Sequence, residues 1–295
     1  MVNGVGVGRQ VGTLTLAGLP IGNVEDASPR LLRTLEEARV VAAEDTRRLR
    51  KFASRAGIDP GGERGARIVS YYDANEARRT DELLAGLRDG KDVLLVTDAG
   101  MPGVSDPGYR LVVACVEEDI PVTVIPGPSA ALAALVVSGL PTDRFCFEGF
   151  PPRKGLSPYL AGLADERRTM VFFESPHRIL ATLTAMVEAF GPDRRAAVCR
   201  ELTKTYEEVR RGGLSELAEW ATGEVRGEIS VVVEGARPGG ASTTDTDLLD
   251  SVAALEDEGV RRKEAITRVA KSAGVPKRRV YDLAHGITTV EEQDP

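Results

Sequence analysis

The sequence predicts an α/β protein of two domains followed by a small helical segment. From Thr13 to about Gly235, short apolar runs alternate with amphipathic stretches of helical spacing, the order expected of α/β sheets covered by helices. Residues 245–285 carry Ala, Leu and Val at helical spacing without a strand pattern. The 295 residues are 42% hydrophobic and 28% charged, a composition typical of a soluble globular protein with a substantial core.

The first predicted domain spans residues 13–128. Ser28 followed by Pro29 predicts a helix start, because serine caps helices and proline suits the first helical position. A glycine at position 57 and an asparagine at position 75 predict the end of one helix and the start of the next. The predicted strands are TLTLAG, VVAAED, RIVSYY, KDVLLV and IPVTVI, and predicted helices include residues 28–38, 46–57 and 75–89.

The second predicted domain spans residues 129–235 and again alternates strands with helices. A proline-rich segment with two cations, PPRKGLSP, is predicted to be a loop. The predicted strands are RFCFEGF, RRTMVFFESP, RRAAVCRELTK, EEVRRGG and GEISVVVEGA, and the predicted helices are residues 176–190 and 215–221.

The two ends of the chain have different predicted structures. Residues 1–12 are rich in Gly and Val and are predicted to be a flexible tail, and residues 236–244 are a linker by composition. In the helical segment 245–295, Lys263 to Ala284 has the pattern of a helix-turn-helix with its turn at Gly274. A small helical cap with a solvated basic end is an equally good interpretation.

Composition excludes several classes of protein. A net charge of −7 argues against binding nucleic acid non-specifically, although an acidic body can carry a basic face. Two histidines are too few for a multi-histidine metal site, so we expect no metal. Three widely spaced cysteines, no secretory signal and no apolar stretch long enough for a bilayer indicate a cytoplasmic protein without membrane contact.

Two loops are expected to carry the chemistry. Residues 97–108 and 126–129 follow apolar strands, so both should lie at the carboxyl edge of the sheet, where open α/β folds bind ligands. Their glycines and prolines favour a rigid cradle of backbone groups. Asp98 and Asp106 add carboxylates suited to ribose hydroxyls or to a cationic group. The alternative is that these are simply two tight turns.

Charged clusters at three further strand ends complete the pattern. They are Glu44 to Arg47, Phe173 to Arg178, and Arg200 to Lys204. Such carboxylates beside arginines are usually paired surface charges. Here they are predicted to share a sheet edge with the two Gly/Pro loops, which favours a place at the same site.

The ordered motifs GLPIGN, AAEDTR, DAGMPGVSDPG, PGPSA, LPTDRFCFEGF, FFESPHR and RELTK, from about Leu14 to Gly235, closely resemble the tetrapyrrole-methylase superfamily, in particular its members that methylate small-subunit ribosomal RNA. The resemblance implies the class III methyltransferase fold, with S-adenosyl-L-methionine held between two α/β domains in a homodimer. It also implies methyl transfer to the ribose 2′-hydroxyl of a cytidine in the decoding region of 16S rRNA, within the small ribosomal subunit.

Carried over by motif, the resemblance also implies cofactor contacts, made largely through main-chain groups. Two positions depart from the family pattern, because Leu19 and Met101 stand where threonine is usual, and either change removes a hydroxyl. The implied cofactor residues are Pro20, Gly22, Asp98, Ala99, Gly100, Met101, Gly103, Ser105, Asp106, Pro126, Gly127, Ser129, Ala130, Phe173, Glu174, Glu201 and Thr203.

The implied reaction needs groups that align the reactants and manage a proton. A ribose hydroxyl is weakly acidic, so a base or a cation that stabilises a developing alkoxide would help. We predict Glu44 or Asp45 as the base and Arg47, Arg178 or Lys204 as charge stabilisers. The sequence does not choose among them.

The RNA must be held by local positive charge within an acidic protein. We expect the C-terminal helices to position a structured rRNA, with no strong affinity for random nucleic acid. The predicted RNA-binding residues are Arg48, Lys51, Arg153, Lys154, Lys277, Arg278 and Arg279.

Two alternative functions for the protein remain open. One is a methyltransferase acting on a tetrapyrrole precursor of cobalamin or sirohaem, and the other is a DNA-binding regulator that uses the helical tail.

Overall fold

The computed structural model describes residues 11–237, 245–273 and 275–285. It contains two five-stranded sheets, each with helices on both faces, and then three more helices. The predicted tail and linker fall outside the described residues except for positions 11, 12, 236 and 237, and the predicted turn residue Gly274 is also outside them.

The first sheet is entirely parallel in its described strands. Its order is β3-β2-β4-β1-β5, so the first strand lies between the fourth and the fifth. The strands are β1 (Leu14–Ala17), β2 (Val40–Ala43), β3 (Arg67–Ser70), β4 (Val93–Val96) and β5 (Val122–Ile125).

Side chains of this sheet alternate between two helical layers, as the pleat of a strand requires. Val93 and Leu95 pack with α3 and α4, whereas Leu94 and Val96 pack with α1 and α2. Burial on both faces explains why the strands are apolar runs without alternation. The helices are α1 (Pro29–Glu37), α2 (Thr46–Ala56), α3 (Glu76–Arg88) and α4 (Tyr109–Glu117).

Three of the predicted helix ends have local causes visible in the structure. The Ser28 hydroxyl accepts a hydrogen bond from the Leu31 amide, and α2 ends at Gly57 with φ of 71°. Asn75 occupies the cap position of α3, but its side chain accepts from the Tyr72 amide and donates to the Ser70 carbonyl. It therefore stabilises the loop before the helix.

The second sheet is mixed, in the order β6-β7-β10-β8-β9. β6 is parallel to β7, whereas β10 runs antiparallel to both of its neighbours and β9 antiparallel to β8. The strands are β6 (Phe145–Gly149), β7 (Thr169–Glu174), β8 (Arg195–Arg200), β9 (Glu208–Gly213) and β10 (Ile229–Val233).

Helices also cover both faces of this second sheet. On one face α5 packs through Ala134 and Leu135 against Val171 and Val232. On the other face the remaining helices enclose Met170 and other alternate strand residues. The helices are α5 (Ala130–Ser138), α6 (Leu156–Ala161), α7 (Ile179–Phe190) and α8 (Leu214–Trp220).

Three element boundaries differ from those predicted. The last residues of the predicted loop 151–158 already belong to α6. Helix α7 begins at Ile179 instead of Pro176, because the Ser175 carbonyl accepts from the Arg178 amide in a turn. Strand β8 ends at Arg200, since φ values of 52° and 66° at Glu201 and Thr203 are incompatible with an extended strand.

The C-terminal helices are α9 (Asp245–Asp257), α10 (Arg262–Ala273) and α11 (Lys277–Ala284). They enclose an apolar core of their own, which includes Leu248, Ile266 and Val280. Among the helices of the described ranges, none is long and apolar enough to cross a membrane.

Candidate functional site

A cavity of about 370 Å³ lies between loops of the first sheet and strand ends of the second. Its walls are mostly backbone and apolar side chains, with a few carboxylates and hydroxyls. The lining residues are Ile21, Ala99, Gly100, Met101, Val104, Ser105, Asp106, Ser129, Ala130, Phe150, Phe173, Glu174, Ser175, Pro176, Cys199, Leu202, Gly227, Glu228, Ile229 and Ser230.

The loop after β4 forms the first wall, and its shape depends on left-handed backbone. Gly100 and Gly103 have φ of 72° and 81°, values that glycine adopts at less cost than other residues. Ser105 also has a positive φ, of 62°. Two backbone hydrogen bonds between Leu19 and Gly100, of 2.9 and 3.0 Å, tie this loop to the one after β1. The loop therefore presents fixed backbone groups to the cavity.

The loops after β1 and β5 touch each other. A Cβ atom added at Gly127 would lie 2.5 Å from the Gly18 carbonyl oxygen, so the contact leaves no room for a side chain. Directly after it, the Ser129 hydroxyl accepts from the Leu132 amide and caps α5, and Ala130 begins the helix beside the cavity.

The end of β7 forms the second wall. Glu174 is only 3% exposed, and its carboxylate accepts hydrogen bonds from the Ser175 amide at 2.7 Å and from the Thr182 hydroxyl at 2.5 Å. Arg178 lies 3.6 Å from the same carboxylate. These contacts satisfy the charge of Glu174, so this residue fixes the shape of the wall.

The amino end of β10 and the turn after β8 complete that wall. The ammonium group of Lys204 lies 2.9 Å from the Glu201 carboxylate and 2.7 Å from the carboxylate of Glu228, which lines the cavity. The Thr203 hydroxyl accepts from the Asn23 amide at 3.2 Å, and a Cβ at Gly22 would clash with the same turn. This turn thus joins the two halves of the site.

Three carboxylates concentrate negative charge beside the first wall. The Glu44 carboxylate accepts from the Asp98 amide, and the Asp98 carboxylate accepts from the Asp45 amide and pairs with Arg48 at 3.2 Å. Burial raises the pKa of both Glu44 and Asp98. For Asp106, burial and then the charges of Glu44, Asp98 and Asp73 raise the pKa to about 7.

Asp45 has a different environment from these three. Its carboxylate caps α2 through the Arg47 amide and binds the Arg47 guanidinium at 2.8 Å. Hydrogen bonds from that guanidinium and that amide lower the pKa of Asp45 to about 2. Arg47 itself is 87% exposed. This pair belongs to the start of the helix and is not part of the cavity wall.

The structure brings part of the predicted site together. In the described residues, the cavity wall includes the predicted Ala99, Gly100, Met101, Ser105, Asp106, Ser129, Ala130, Phe173 and Glu174. The other predicted cofactor residues are neighbours of the lining in sequence or contact and do not line the described cavity themselves: Pro20, Gly22, Asp98, Gly103, Pro126, Gly127, Glu201 and Thr203. None of the five predicted catalytic residues lines the described cavity, although Lys204 and Arg178 pair with residues that do.

Sequence reasoning missed the contribution of β10. In a parallel sheet, carboxyl ends of strands meet at one edge, but β10 is antiparallel to β7 and β8, so its amino end reaches that edge. The lining residues that fall outside the predicted loops and clusters are Phe150, Cys199, Gly227, Glu228, Ile229 and Ser230. A polar Ser230 within an otherwise apolar strand was an available signal.

The predicted RNA-binding cations are distributed over three surfaces. Lys51 is exposed on α2, while Arg153 and Lys154 are exposed on the loop after β6. The other predicted cations form ion pairs or lie exposed on the last helix: Arg48 with Asp98, Arg278 with Asp282, Arg279 with Asp245, and Lys277 exposed. In the described ranges no group of three or more metal-ligating side chains could hold a metal ion.

The two sheets and the cleft define the class of protein. The family model described as Tetrapyrrole (Corrin/Porphyrin) Methylases matches residues 13–218. The chain belongs to this family.

Two relatives with known names have sequences similar to most of this chain. The chain is 52% identical over 277 residues to the ribosomal RNA small subunit methyltransferase I of Mycobacterium tuberculosis (strain CDC 1551 / Oshkosh), covering 92% of this chain and 94% of that protein. It is 39% identical to the protein of the same name from Escherichia coli O157:H7, with coverage of 92% and 94%.

A solved structure shows the same fold. It is the uroporphyrin-III C-methyltransferase of Thermus thermophilus complexed with S-adenosylhomocysteine, which aligns with a TM-score of 0.51 at 21% identity. The alignment covers 75% of this chain and 96% of that one. The C-terminal helices lie beyond the part matched by the family model.

Proposed function

We propose that the protein is an S-adenosyl-L-methionine-dependent methyltransferase that methylates the ribose 2′-hydroxyl of a cytidine in the decoding region of 16S rRNA. The observation that carries the proposal is the cavity between the two sheets, which combines a glycine-rich backbone cradle with the half-buried carboxylate of Asp106. The relatives named as small-subunit rRNA methyltransferases support the choice of substrate.

The methyl donor is S-adenosyl-L-methionine, and the residues present fit it. Backbone groups at Gly100 and Met101 can bind polar edges of the donor, while Ile21 and Leu202 provide apolar contact. Met101 adds its own thioether to the wall where the family pattern has a threonine hydroxyl. When bound, the donor supplies a methyl group on a positively charged sulfur, which needs no metal for activation.

Asp106 is the carboxylate best suited to accept the proton of the ribose hydroxyl. It lines the cavity, and its side chain has no hydrogen-bond or ion-pair partner among the residues that the structure describes. With a pKa of about 7, a substantial fraction is ionised near neutral pH, and the carboxylate is basic enough to take a proton. Neighbouring Glu44, with its raised pKa, remains a second candidate.

Of the other predicted catalytic residues, Lys204 and Arg178 have the better positions. Lys204 binds Glu228, which lines the cavity, so its positive charge lies beside the cavity and can stabilise an oxyanion that forms there. Arg178 holds the neighbouring loop through the Pro151 and Pro152 carbonyls. Asp45 and Arg47 neutralise each other at the start of α2, which makes them the weakest candidates.

We also propose a cytoplasmic homodimer. Three free cysteines, two buried and one partly buried, suit a reducing compartment where small ribosomal subunits are assembled. Apolar side chains are exposed on three successive elements, with Val116 on α4, Val124 on β5, and Leu132 and Val136 on α5. A contiguous apolar patch formed by such residues would be a site of protein–protein contact.

The test is methyl transfer from labelled S-adenosyl-L-methionine to two acceptors, namely small ribosomal subunits lacking the modification and a reduced uroporphyrin-type tetrapyrrole. We expect label in 16S rRNA and none in the tetrapyrrole. Label in the tetrapyrrole alone would retain the fold and the cofactor and overturn the proposed substrate.

A further inference from the structure

An aromatic ring stands exposed at the mouth of the cavity. Phe150 follows β6, lines the cavity, and is 58% exposed. A large apolar ring in water is unfavourable relative to a buried one by about 1.5–3 kcal/mol. A ring that is exposed next to a substrate cavity is therefore a candidate for ligand contact.

The ring of Phe150 continues an aromatic series that leads out of the protein interior. Its centroid lies 5.6 Å from that of Phe173 with an interplanar angle of 60°, and Phe173 lies 4.9 Å from Phe147 at 68°. Both contacts are edge-to-face, which is a favoured arrangement for aromatic pairs. Phe173 thereby supports the ring of Phe150 from the protein side.

The backbone that carries Phe150 is also fixed on both sides. Gly149 has φ of 64°, and a Cβ at this position would lie 3.5 Å from the Ser105 hydroxyl across the cleft. After Phe150, the Arg178 guanidinium donates to the Pro151 and Pro152 carbonyls, each at 3.0 Å. The ring is therefore held at a defined place between the two walls.

Two cationic residues follow Phe150 in the chain after two prolines. Arg153 and Lys154 are exposed, and within residues 11–237, 245–273 and 275–285 neither has an ion-pair partner. Arg50 and Lys51 on α2 are also consecutive and exposed without an ion pair in the described residues, but they do not follow a ring that lines the cavity, as Arg153 and Lys154 do. An aromatic face beside free cations suits a base next to its phosphates.

We propose that Phe150 stacks on the base of the acceptor nucleotide while Arg153 and Lys154 bind the adjacent phosphates. This rests on the proposed function, since a nucleotide of a structured RNA must leave its stack before its ribose reaches a cleft. Stacking on Phe150 replaces part of the stacking energy lost when the base is turned out. Stacking on an aromatic ring depends little on the identity of the base, so this contact positions the nucleotide and leaves sequence choice to other contacts.

The experiment compares Phe150→Ala with Phe150→Tyr and with Phe145→Ala. Phe145 is a matched control because it begins the strand that Phe150 follows, is 38% exposed, and does not belong to the described cavity lining. The readouts are the affinity for S-adenosyl-L-methionine by calorimetry, the affinity for small subunits lacking the modification without the donor, and KM and kcat for methylation.

We expect Phe150→Ala to weaken subunit binding and raise KM by about tenfold, equivalent to about 1.4 kcal/mol, with donor affinity unchanged. Phe150→Tyr should restore most of the binding because it keeps the ring, and Phe145→Ala should match the wild type. A loss of donor affinity in Phe150→Ala would overturn the proposal by assigning the ring to the cofactor. Equal subunit binding by Phe150→Ala and wild type would also overturn it. If wild-type protein methylated no rRNA, the proposed function would fall as well.

Discussion

Asp106 is the residue on which the proposed chemistry depends most. Burial and three neighbouring carboxylates raise its pKa to about 7, from a usual value of 3.8. Glu44 and Asp98 are already engaged in hydrogen bonds with the backbone, so their charges act on Asp106 from fixed positions. The ionised form of Asp106 therefore lowers the stability of the folded state, but its raised pKa makes the carboxylate useful for proton transfer.

Replacing Asp106 by Asn should lower kcat by about a hundredfold or more, the range expected when a general base is lost. In wild-type protein kcat should rise as the pH increases through about 7, because only the ionised carboxylate accepts a proton. The measurement is a pH–rate profile under saturating donor and acceptor. A profile of Asp106→Asn that keeps the same rise would assign the base to another residue, with Glu44 the next to test.

The same substitution should stabilise the fold at neutral pH. The pKa of Asp106 is higher in the folded state than in the unfolded chain, so the contribution of Asp106 to stability is most favourable below about pH 4 and declines as the pH rises through about 7. Removing the charge should therefore raise the free energy of unfolding by about 1–2 kcal/mol at pH values above 7 and leave it unchanged under acid conditions. Thermal unfolding at two pH values checks this, and destabilisation at neutral pH would contradict it.

At the scale of elements, the site depends on loops that are brought together by a parallel sheet. The loops after β1 and β5 are in contact at Gly18 and Gly127, while those after β1 and β4 are joined through Leu19 and Gly100. Because these strands are adjacent in the sheet, their carboxyl ends place three loops side by side.

Gly127→Ala should separate two of these loops. The added Cβ would lie 2.5 Å from the Gly18 carbonyl oxygen, so the backbone must shift. We expect donor affinity to fall by about tenfold or more and stability by about 1–3 kcal/mol, as for other overpacked sites. Calorimetry and thermal unfolding give both values.

Gly86→Ala is the matched control for this change. Gly86 lies inside α3, and outside the helix backbone the nearest atom to an added Cβ is Cδ of Lys91 at 3.9 Å. This variant should gain about 0.5–1 kcal/mol of stability and keep wild-type donor affinity. Wild-type affinity in Gly127→Ala would show that the contact between the loops is not needed for binding.

The first half of the site was more predictable from sequence than the second. Apolar strands followed by glycine and proline locate the loop of Gly100 and the loop of Ser129, because parallel strands deliver their carboxyl ends to one edge. In the second sheet, strand direction depends on pairing between segments distant in the chain, which local patterns do not encode. Ser230 and Phe150 therefore entered the site only with the structure. The turn at Glu201 was missed for a different reason, since positive φ at a non-glycine residue has no sequence signal.

At the scale of the whole molecule, the structure has two sheets with their helices and a separate group of C-terminal helices. The two sheets enclose the cavity, and the three C-terminal helices form a separate core beyond Arg237. Their last helix begins with Lys277, Arg278 and Arg279, of which the latter two pair with Asp282 and Asp245. Partial neutralisation of this kind suits selective contact with a structured RNA better than strong binding to any nucleic acid.

Removing the chain after Arg237 should separate cofactor binding from substrate binding. The part of the chain before this point is held to the loop between α6 and β7, since the Ala236 amide donates to the Glu166 carbonyl at 2.6 Å. We expect unchanged donor affinity and about a tenfold higher KM for small subunits, because basic contacts to phosphates are lost. A charge-only variant with alanine at 277, 278 and 279 is the control for the loss of the helices themselves. Unchanged KM in both would contradict a role for this segment in RNA binding.

The proposed homodimer is tested at the same scale by Val136→Glu. Val136 is 69% exposed on α5, and a carboxylate placed in an apolar interface would be buried without a partner. We expect the wild type to sediment as a dimer and the variant to shift towards a monomer, by about tenfold or more in dissociation constant. Leu180→Glu, at an exposed position of α7, is the control and should not change the oligomeric state. A monomeric wild type would contradict the proposal.

The most direct test of the proposed activity is to locate the transferred methyl group within the RNA. Small subunits lacking the modification would be incubated with the protein and labelled S-adenosyl-L-methionine, and the 16S rRNA would then be hydrolysed with alkali. A 2′-O-methyl group blocks cleavage at its own linkage, so we predict a labelled, alkali-resistant dinucleotide that contains cytidine. Label that appears only in mononucleotides would place the methyl group on a base and contradict the account.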